Sequence, residues 1–329
     1  MPPQVSFLVP VYNEAEHIGP MLDSIARQTY SAANLEVLIA AAKSTDGTQD
    51  VLRGWCAEHP DLNVRILQNP GRNTATGRNL CLQAAEGEYV MNFSAHAVAD
   101  PNLVEVLVAK LAKMSDEVAG TGCAIKRSDA SSTLARAVSV AMFSVLGGMR
   151  QVDSSFASHH DQPARSVAFT LYRKRVLNEL GGFDEAFWCG QDAELNLRLA
   201  DHGYQIWFTP DTAASHHKRS RWSDFVAQMY RYGVARAKLT KKFPRSLRLV
   251  FLLPVVFFVA VSIGTVTSLF HAGVAWALLI AAGLFVLLSW GSALSAGGDL
   301  ISVLLSPLLY FLMYTCYGAG FLRGLIPRW

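Results

Sequence analysis

The amino-acid sequence predicts an α/β domain with a doubly wound, Rossmann-like sheet, followed by helices that span a membrane. Three observations predict this fold class. Short apolar runs alternate with helical patterns near the amino terminus, two long stretches near the carboxyl end lack charge, and a strongly basic segment precedes those stretches. Strands that alternate with helices of about 10–15 residues indicate a sheet that is covered by helices on both faces.

Four apolar runs predict the first strands of this sheet, at residues 5–11, 36–41, 64–67 and 88–93. Helical patterns separate these runs, so we expect the strands to be parallel. Ligands of such sheets bind beyond the carboxyl ends of the strands. The polar segments 12–14, 44–48 and 94–96 follow three of those ends, and we expect them to form a binding site.

The carboxyl-terminal region predicts membrane spans. Its last 81 residues contain only three charged side chains, Asp299, Arg323 and Arg328. An uncharged apolar run of 18 or more residues is typical of a span, because a hydrocarbon core of about 30 Å needs about 20 helical residues. We expect three spans, at residues 249–270, 272–294 and 300–322.

A basic segment, residues 217–248, separates the two regions and contains ten Lys or Arg side chains but one acid, Asp224. Basic residues beside a span favour the cytoplasmic side. We therefore expect a multi-pass protein of the cell inner membrane, with domain 1–216 in the cytoplasm and the region 249–329 in the bilayer. Three spans would place Arg323 and Arg328 outside, against the same bias. This conflict leaves open a third segment that re-enters the membrane or lies flat on it.

Composition excludes several classes of protein. The apolar tail excludes a purely soluble enzyme and a disordered chain, and the formal net charge of +3 gives no reason to expect nucleic acid as a partner. The five cysteines are scattered without CxxC spacing, so we expect reduced thiols rather than a disulfide scaffold. The amino terminus lacks the basic start of a signal peptide, and none is expected.

Five short motifs follow one another in the first 195 residues: VPVYNE at 9–14, STDGT at 44–48, GRN at 77–79, GGFDE at 181–185 and QDAEL at 191–195. Over about residues 4–240 their order and spacing resemble inverting family 2 glycosyltransferases, and their details are most similar to succinoglycan-type, membrane-attached exopolysaccharide transferases. The resemblance implies the GT-A fold, with a mixed sheet. It also implies a nucleotide-sugar donor, a polyprenyl-linked or polysaccharide acceptor, membrane lipids as surroundings, and Mn²⁺ or Mg²⁺ as the cofactor.

The resemblance also implies roles for individual residues. Asp192 matches the general base that deprotonates the acceptor hydroxyl. Contacts to the acceptor or to phosphate are implied for Glu194, Gln228 and Arg231, the last two because QMYRY at 228–232 is similar to the Gln-x-x-Arg-Trp element of processive membrane transferases. Donor-binding residues are expected at Pro10, Tyr12, Asn13, Glu14, Lys43, Asp46, Arg78 and Ser94.

Other interpretations of these residues stay open at the level of sequence. Asp192 could only cap the helix that follows it, since Asp is a preferred N-cap residue. Glu194 could be structural, and Asp184 is expected to order the GGFD turn. Gln228 and Arg231 could belong to a solvated helix face that attracts anionic lipid. The apolar segment 134–149 is either an interfacial helix or a core helix.

Two positions depart from the family pattern, and both concern the donor. Ser94 stands where the most similar transferases have the Asp of an Asp-x-His motif, and Ala41 stands where the family has an Asp that recognises the nucleobase. A hydroxyl is a much weaker ligand than a carboxylate for a hard divalent cation. His96 remains as a candidate metal ligand, because imidazole suits transition metals.

Three hypotheses account for these departures. Lys43 and Arg78 replace the metal as the positive charge beside the diphosphate, the donor is not a standard uridine nucleotide, or the chain is a non-catalytic protein that binds a saccharide, a lipid carrier or a partner transferase. The remaining histidines do not have metal-ligand spacing, and we expect no metal at His159, His160, His216 or His217.

Overall fold

The computed structural model describes residues 4–126, 132–148, 158–216 and 221–326. The chain divides into two compact units, one with residues 1–128 and 153–217 and the other with residues 129–152 and 218–329. This division differs from the expected domains in two respects. The segment around residue 133 groups with the carboxyl-terminal region, and the basic segment and the apolar helices form one unit.

Within the described residues, nine strands of the first unit form one mixed sheet. They are β1 (Val5–Val11), β2 (Leu35–Ala41), β3 (Asn63–Gln68), β4 (Tyr89–Asn92), β5 (Ala97–Ala99), β6 (Val118–Lys126), β7 (Gln162–Ala164), β8 (Leu171–Arg173) and β9 (Gln205–His216). Their spatial order is β3-β2-β1-β4-β8-β6-β9-β5, and β7 pairs with β9.

The helices alternate with the early strands as predicted. In chain order they are α1 (Ile18–Ala26), α2 (Thr48–Glu58), α3 (Thr74–Ala84), α4 (Leu103–Leu111), α5 (Thr133–Phe143), α6 (Lys174–Glu179), α7 (Gln191–Asp201), α8 (Trp222–Lys242), α9 (Leu253–Ser268), α10 (Ala272–Ser295) and α11 (Leu300–Leu325). Helices α5 and α8–α11 belong to the second unit.

The first four strands are parallel, as expected, but the sheet as a whole is not. Strand β8 runs antiparallel to both β4 and β6, and β5 and β7 run antiparallel to β9. The pairing of β1 with β2 runs from Val5 and Leu35 to Val11 and Ala41, so these two strands end at the same level. This register brings the segments after β1 and β2 together at one edge.

Apolar side chains cover both faces of the sheet. Alternate residues of β1 enter different clusters: Phe7 packs in one with Ile39, and Leu8 packs in the other with Leu38. Successive side chains of a strand point to opposite faces, so continuous apolar runs fit a sheet buried on both sides. Burial raises the pKa of the Cys81 thiol to about 12, consistent with a small apolar role.

The second unit contains three helices that are long and apolar enough to cross a membrane, at Leu249–Ser268, Ala272–Ser295 and Leu300–Leu325. These ranges agree closely with the expected segments. Helix α5 is shorter than the apolar segment 134–149, since it ends at Phe143. Its amino end is capped by Ser132, whose hydroxyl accepts a hydrogen bond from the Ala135 amide at 3.2 Å.

Candidate active site

Two loops lock together beyond the ends of β1 and β2. Asn13 adopts a left-handed backbone conformation with φ of 54°, which Asn tolerates better than most residues. Its amide donates to the Ser44 hydroxyl at 3.0 Å, and its side-chain oxygen accepts from the Thr45 amide at 2.9 Å. The YNE and STDG motifs therefore form one structural element, although 31 residues separate Asn13 from Ser44.

Asp46 braces the same pair of loops. Its carboxylate accepts hydrogen bonds from the amides of Ala15 and Thr48, both at 3.1 Å, and from the Thr48 hydroxyl. Burial raises the pKa of Asp46, but these hydrogen bonds outweigh it and hold the pKa below its usual value. The Glu14 amide in turn donates to the Thr48 hydroxyl at 2.8 Å. The structure thus gives Asp46 a turn-forming role, and a contact with the donor stays a prediction.

Exposed side chains line this edge of the sheet. The Tyr12 ring lies under the Arg72 guanidinium, whose carbon is 4.7 Å from the ring centroid, and Lys43 is exposed on the neighbouring loop. Sequence reasoning missed Arg72, although the preceding Pro and Gly are a turn signal. Pro10 packs beside α3, where a Cβ added to Gly77 would lie 3.1 Å from the Pro10 Cβ.

The segment after β4 brings His96 to Glu14. Nδ1 of His96 lies 3.0 Å from Oε1 of Glu14, and Ser94 is half-buried two residues earlier. Within the described ranges, no three His, Cys, Asp or Glu side chains gather into a group that could hold a metal ion. Mg²⁺ is usually held by one or two carboxylates together with waters and substrate phosphates. Here the carboxylate of Glu14 is hydrogen-bonded to an imidazole, which is a poor ligand for Mg²⁺ and suits transition metals better. The described residues therefore fit Mg²⁺ poorly, and Mn²⁺ binding at His96 stays a prediction.

Asp192 lies at the start of α7 and joins three distant parts of the first unit. Its Oδ1 accepts a hydrogen bond from Nη1 of Arg78 at 2.6 Å and another from Nδ2 of Asn92 at 2.8 Å. The alternative that Asp192 caps the helix is wrong, because Gly190, with φ of 78°, is the N-cap residue and Asp192 lies within the first turn. The Asp192 side chain is 44% exposed, so it is accessible to a substrate.

Arg78 forms a partly buried ion pair with the Asp192 carboxylate. Its side chain is only 6% exposed, and its guanidinium also lies 5.2 Å from the centroid of the Phe183 ring. A buried guanidinium needs a partner of opposite charge, and Asp192 supplies one. The structure therefore shows an ion pair between Arg78 and Asp192, and the expected contact of Arg78 with phosphate stays a prediction. Asn92 was missed by sequence reasoning, although a polar residue that ends an apolar strand was a usable signal.

The surroundings of Glu194 favour its structural interpretation over a contact with the acceptor. Its side chain is fully buried, and its two carboxylate oxygens accept hydrogen bonds from Nε and Nη2 of Arg198 at 2.9 and 2.8 Å. Arg198 also donates to the carbonyl oxygens of Leu180 and Gly182. This pair holds the GGFD turn, in which Asp184 accepts from the Ala186 amide as expected.

The GRN motif joins the same turn to α3. The Asn79 side chain donates to the Phe183 carbonyl at 2.8 Å and accepts from the Phe183 amide at 2.8 Å. A Cβ added to Gly182 would lie 2.6 Å from the Asn79 side-chain oxygen, and Gly182 has φ of 76°. Glycine is therefore required at this close approach. The contact aligns the segment before α7 with the helix that carries Arg78.

Gln228 and Arg231 lie on α8, in the second unit. Nε2 of Gln228 donates to the Tyr232 hydroxyl at 2.9 Å, and Arg231 is exposed. A hydrogen-bonded pair four residues apart is expected on one helix face. Their contact with acceptor or phosphate stays a prediction.

One strand pairing was not foreseen. Strands β5 and β9 are antiparallel, and Ala97 lies opposite His216 in their pairing. Ala97 directly follows the candidate ligand His96 in the sequence. The sequence has no metal-ligand spacing around His216, which lies 120 residues after His96, and no local pattern linked the two. His217 lies outside the described residues.

Sequence comparisons with known proteins place the chain among glycosyltransferases. The profile described as "Glycosyltransferase like family 2" matches residues 2–235. The chain is 31% identical over 234 residues to the succinoglycan biosynthesis protein ExoA of Rhizobium meliloti (strain 1021), covering 70% of this chain and 68% of that protein. It is 27% identical over 244 residues to a dolichyl N-acetyl-α-D-glucosaminyl phosphate 3-β-D-2,3-diacetamido-2,3-dideoxy-β-D-glucuronosyltransferase of Methanococcus voltae, covering 72% and 74% of the two chains.

A solved structure supports the fold. The mannosyltransferase PcManGT from Pyrobaculum calidifontis, determined with GDP-Man and Mn²⁺, matches with a TM-score of 0.62 and 23% identity, over 99% of this chain and 88% of that one. Fold and family profile together define a GT-A glycosyltransferase, as the motifs predicted. The chain belongs to glycosyltransferase family 2, and it is a glycosyltransferase.

Proposed function

We propose that the protein is a membrane-attached, inverting glycosyltransferase that transfers a sugar from a nucleotide-sugar donor to a lipid-linked or polysaccharide acceptor at the cytoplasmic face. The observation that carries the proposal is the Asp192 carboxylate, which is exposed while a buried cation and an amide hold one of its oxygens. A base needs a fixed position and access to the proton that it removes.

Asp192 acts as the general base. Both of its hydrogen bonds to described residues end on Oδ1, which leaves Oδ2 to accept the proton of the acceptor hydroxyl. The acceptor oxygen attacks the anomeric carbon from the face opposite the leaving group, so the new glycosidic bond forms as the bond from that carbon to the diphosphate breaks. The nucleoside diphosphate leaves with the bonding electrons, and the configuration inverts.

Donor binding is assigned to the loops after β1 and β2. Tyr12 and Lys43 are exposed there, and Arg72 lies over the Tyr12 ring. A lysine or arginine can offset the charge of a leaving diphosphate through charge-assisted hydrogen bonds. Because the described residues fit a magnesium site poorly, we assign this charge to side chains of the protein.

The acceptor and the location follow from the relatives and from the second unit. One relative is named for transfer to a dolichyl-linked sugar phosphate and another for succinoglycan synthesis, which supports a lipid-linked or polysaccharide acceptor. The apolar helices supply membrane attachment. The basic segment before them favours the cytoplasmic side, where nucleotide sugars are available.

The test is product analysis. Membranes that contain the protein are incubated with a panel of radiolabelled nucleotide sugars and with lipid-linked or oligosaccharide acceptors, and membranes with the Asp192→Asn variant serve as the control. A labelled product that depends on Asp192 supports the proposal. If no nucleotide sugar binds to the purified protein across the panel, the alternative of a non-catalytic protein that binds a saccharide, lipid carrier or partner transferase replaces it. Ala41 and Ser94 are the observation that favours this alternative.

A further inference from the structure

The third apolar helix, α11, differs from the other two in what covers it. In its most apolar stretch 28% of the residues are buried, against 6% in each of the other two apolar segments. Buried Ser and Tyr side chains lie along one face, among them Ser302, Ser306 and Tyr310. An exposed apolar stripe follows the other face, at Leu300, Ile301, Leu304, Leu308 and Phe311.

The carboxyl half of α11 lies against the charged helix α8. A Cβ added to Gly233 of α8 would collide with the Tyr317 backbone, and one added to Gly320 of α11 would collide with the Tyr230 backbone. Further along, Nζ of Lys241 donates to the Leu325 carbonyl oxygen. Helices α8 and α11 therefore run side by side in the same direction, from about Tyr230 and Gly320 to Lys241 and Leu325.

This contact limits where α11 can lie relative to a membrane. Helix α8 carries Lys and Arg side chains along its length, at positions 231, 236, 238, 241 and 242. Ionised side chains within the hydrocarbon core are costly. If α11 spanned the bilayer, it would draw these charges into the core, and so its carboxyl half belongs at the level of the interface.

The amino half of α11 has charged and polar partners too. Asp299 caps the helix, accepting from the Ser302 amide at 2.9 Å, and lies 3.7 Å from the Arg136 guanidinium of α5. The Tyr310 hydroxyl is hydrogen-bonded to Ser144, just after α5. The Tyr314 hydroxyl donates to the Leu146 carbonyl at 2.9 Å. Helix α5 and the turn after it thus follow α11 as far as Tyr314.

The contacts between α11 and α9 are also inconsistent with a third span. Phe257, near the start of α9, has its ring centroid 6.0 Å from that of Phe311 and 5.4 Å from that of Tyr314. A Cβ added to Gly318 would collide with the first turns of α9, at Pro254 and Phe258. In a third span, Gly318 would lie about 27 Å from the start of α11, beside the far end of α9. Instead, it lies at the near end.

We propose that α11 lies in the plane of the membrane interface and that the chain crosses the bilayer twice, through the hairpin of α9 and α10. The partner of its exposed apolar stripe is the lipid bilayer, whose acyl chains it meets just below the headgroups. The arrangement returns Arg323 to the side of α8, which removes the conflict with the positive-inside bias. It does not depend on transferase activity.

The first test shows whether the full chain, with no substitution in its sequence, crosses the membrane an even or an odd number of times. One reporter that fluoresces only inside the cell and one enzyme that is active only outside are fused separately before Met1 and after Trp329. We expect both ends to report the same side of the membrane. Opposite sides for the two ends would mean an odd number of crossings and would overturn the proposal.

The second test identifies the segment that does not cross. Leu308 of α11 and Leu284 near the middle of α10 are both about half exposed, so Leu308→Lys and Leu284→Lys form a matched pair. At an interface the lysine reaches water by extending its side chain, and Leu308→Lys is expected to leave the amount of membrane-inserted protein unchanged. Leu284→Lys is expected to reduce it by on the order of tenfold or more. Equal losses for the two variants would contradict the in-plane position of α11.

Discussion

Two parts of the sheet edge in the first unit are built on different principles. At the start of α7, Asp192 faces a buried guanidinium and an amide, and charge determines the geometry. At the ends of β1 and β2, Asn13 and Thr48 link the loops mainly through amides and hydroxyl groups. Ala41 and Ser94 occupy the positions of the family's acids. The protein thus retains the carboxylate of the proposed base, whereas at the expected donor side two acids of the family are replaced and Lys43 and Arg72 supply positive charge.

This contrast predicts different sensitivities to mutation. Neutralising Asp192 of α7 removes the proposed general base, so the rate of transfer should fall. A change of charge in the donor loops alters the electrostatic interaction with the diphosphate, so the affinity for the donor should change instead. Removal of metal is expected to affect neither side strongly. Four experiments, from the largest expected effect to the smallest, test this comparison.

The Asp192→Asn variant is expected to lose transfer activity by about 10²–10⁴-fold, the usual contribution of general-base catalysis. Asn keeps an oxygen that can accept from Arg78 and Asn92, but it leaves the buried Arg78 without a partner of opposite charge, so the unfolding midpoint is expected to fall while the protein still folds. The rate of product formation and the thermal unfolding midpoint are measured together. Asp201→Asn, at the other end of the same helix, is the matched control. Near-normal activity of a folded Asp192→Asn protein would remove Asp192 from the role of base.

The Arg78→Lys variant is expected to lower kcat by about tenfold, because lysine lacks the planar guanidinium that aims Nη1 at Oδ1 of Asp192. Since we propose that Arg78 positions the base, KM for the donor should change little. Arg175→Lys, in the exposed pair with Asp116, is the control for a loss of guanidinium elsewhere. A rise in donor KM at constant kcat would instead assign Arg78 to the diphosphate, as first expected from the sequence.

The Ser94→Asp variant is expected to weaken donor binding by about five- to tenfold, because it adds a negative charge beside the proposed diphosphate position. Ser94 suits this change better than Ala41, which is 3% exposed in the paired part of β2. Donor affinity is measured by calorimetry, with Ser94→Asn as the neutral control. If the variant gains affinity for a uridine nucleotide in the presence of Mn²⁺, the wild-type site is an impaired form of the family site.

Chelation of divalent metal by EDTA is expected to change transfer activity by less than about twofold, because the described ligands fit Mg²⁺ poorly. A transferase that requires Mn²⁺, assayed in the same membranes, shows that chelation is complete. Total loss of activity that Mg²⁺ restores would mean that other acids complete a metal site. Rescue by Mn²⁺ alone would identify His96 as a ligand.

Local sequence determined a large part of this protein. The strands near 5–11 and 36–41 follow from apolar runs, and the order of the five motifs predicted the family that the profile match confirms. The apolar segments near the carboxyl end were equally readable, because hydropathy depends on neighbouring residues only. These features share one physical basis, since each is encoded within a window of one helix or strand.

Tertiary structure decided which side chains meet. Arg78 and Asp192 are separated by 114 residues, and Asn92 and Asp192 by 100, so no local pattern could show that a cation expected at phosphate is the partner of the base. Glu194 has the same chemistry as Asp192 two positions away, but the helix turns it into the core beside Arg198. Helix α11 has the hydropathy of a span, yet its contacts with α8 set its proposed depth. Burial and pairing depend on the packing of distant segments, and only the folded chain specifies them.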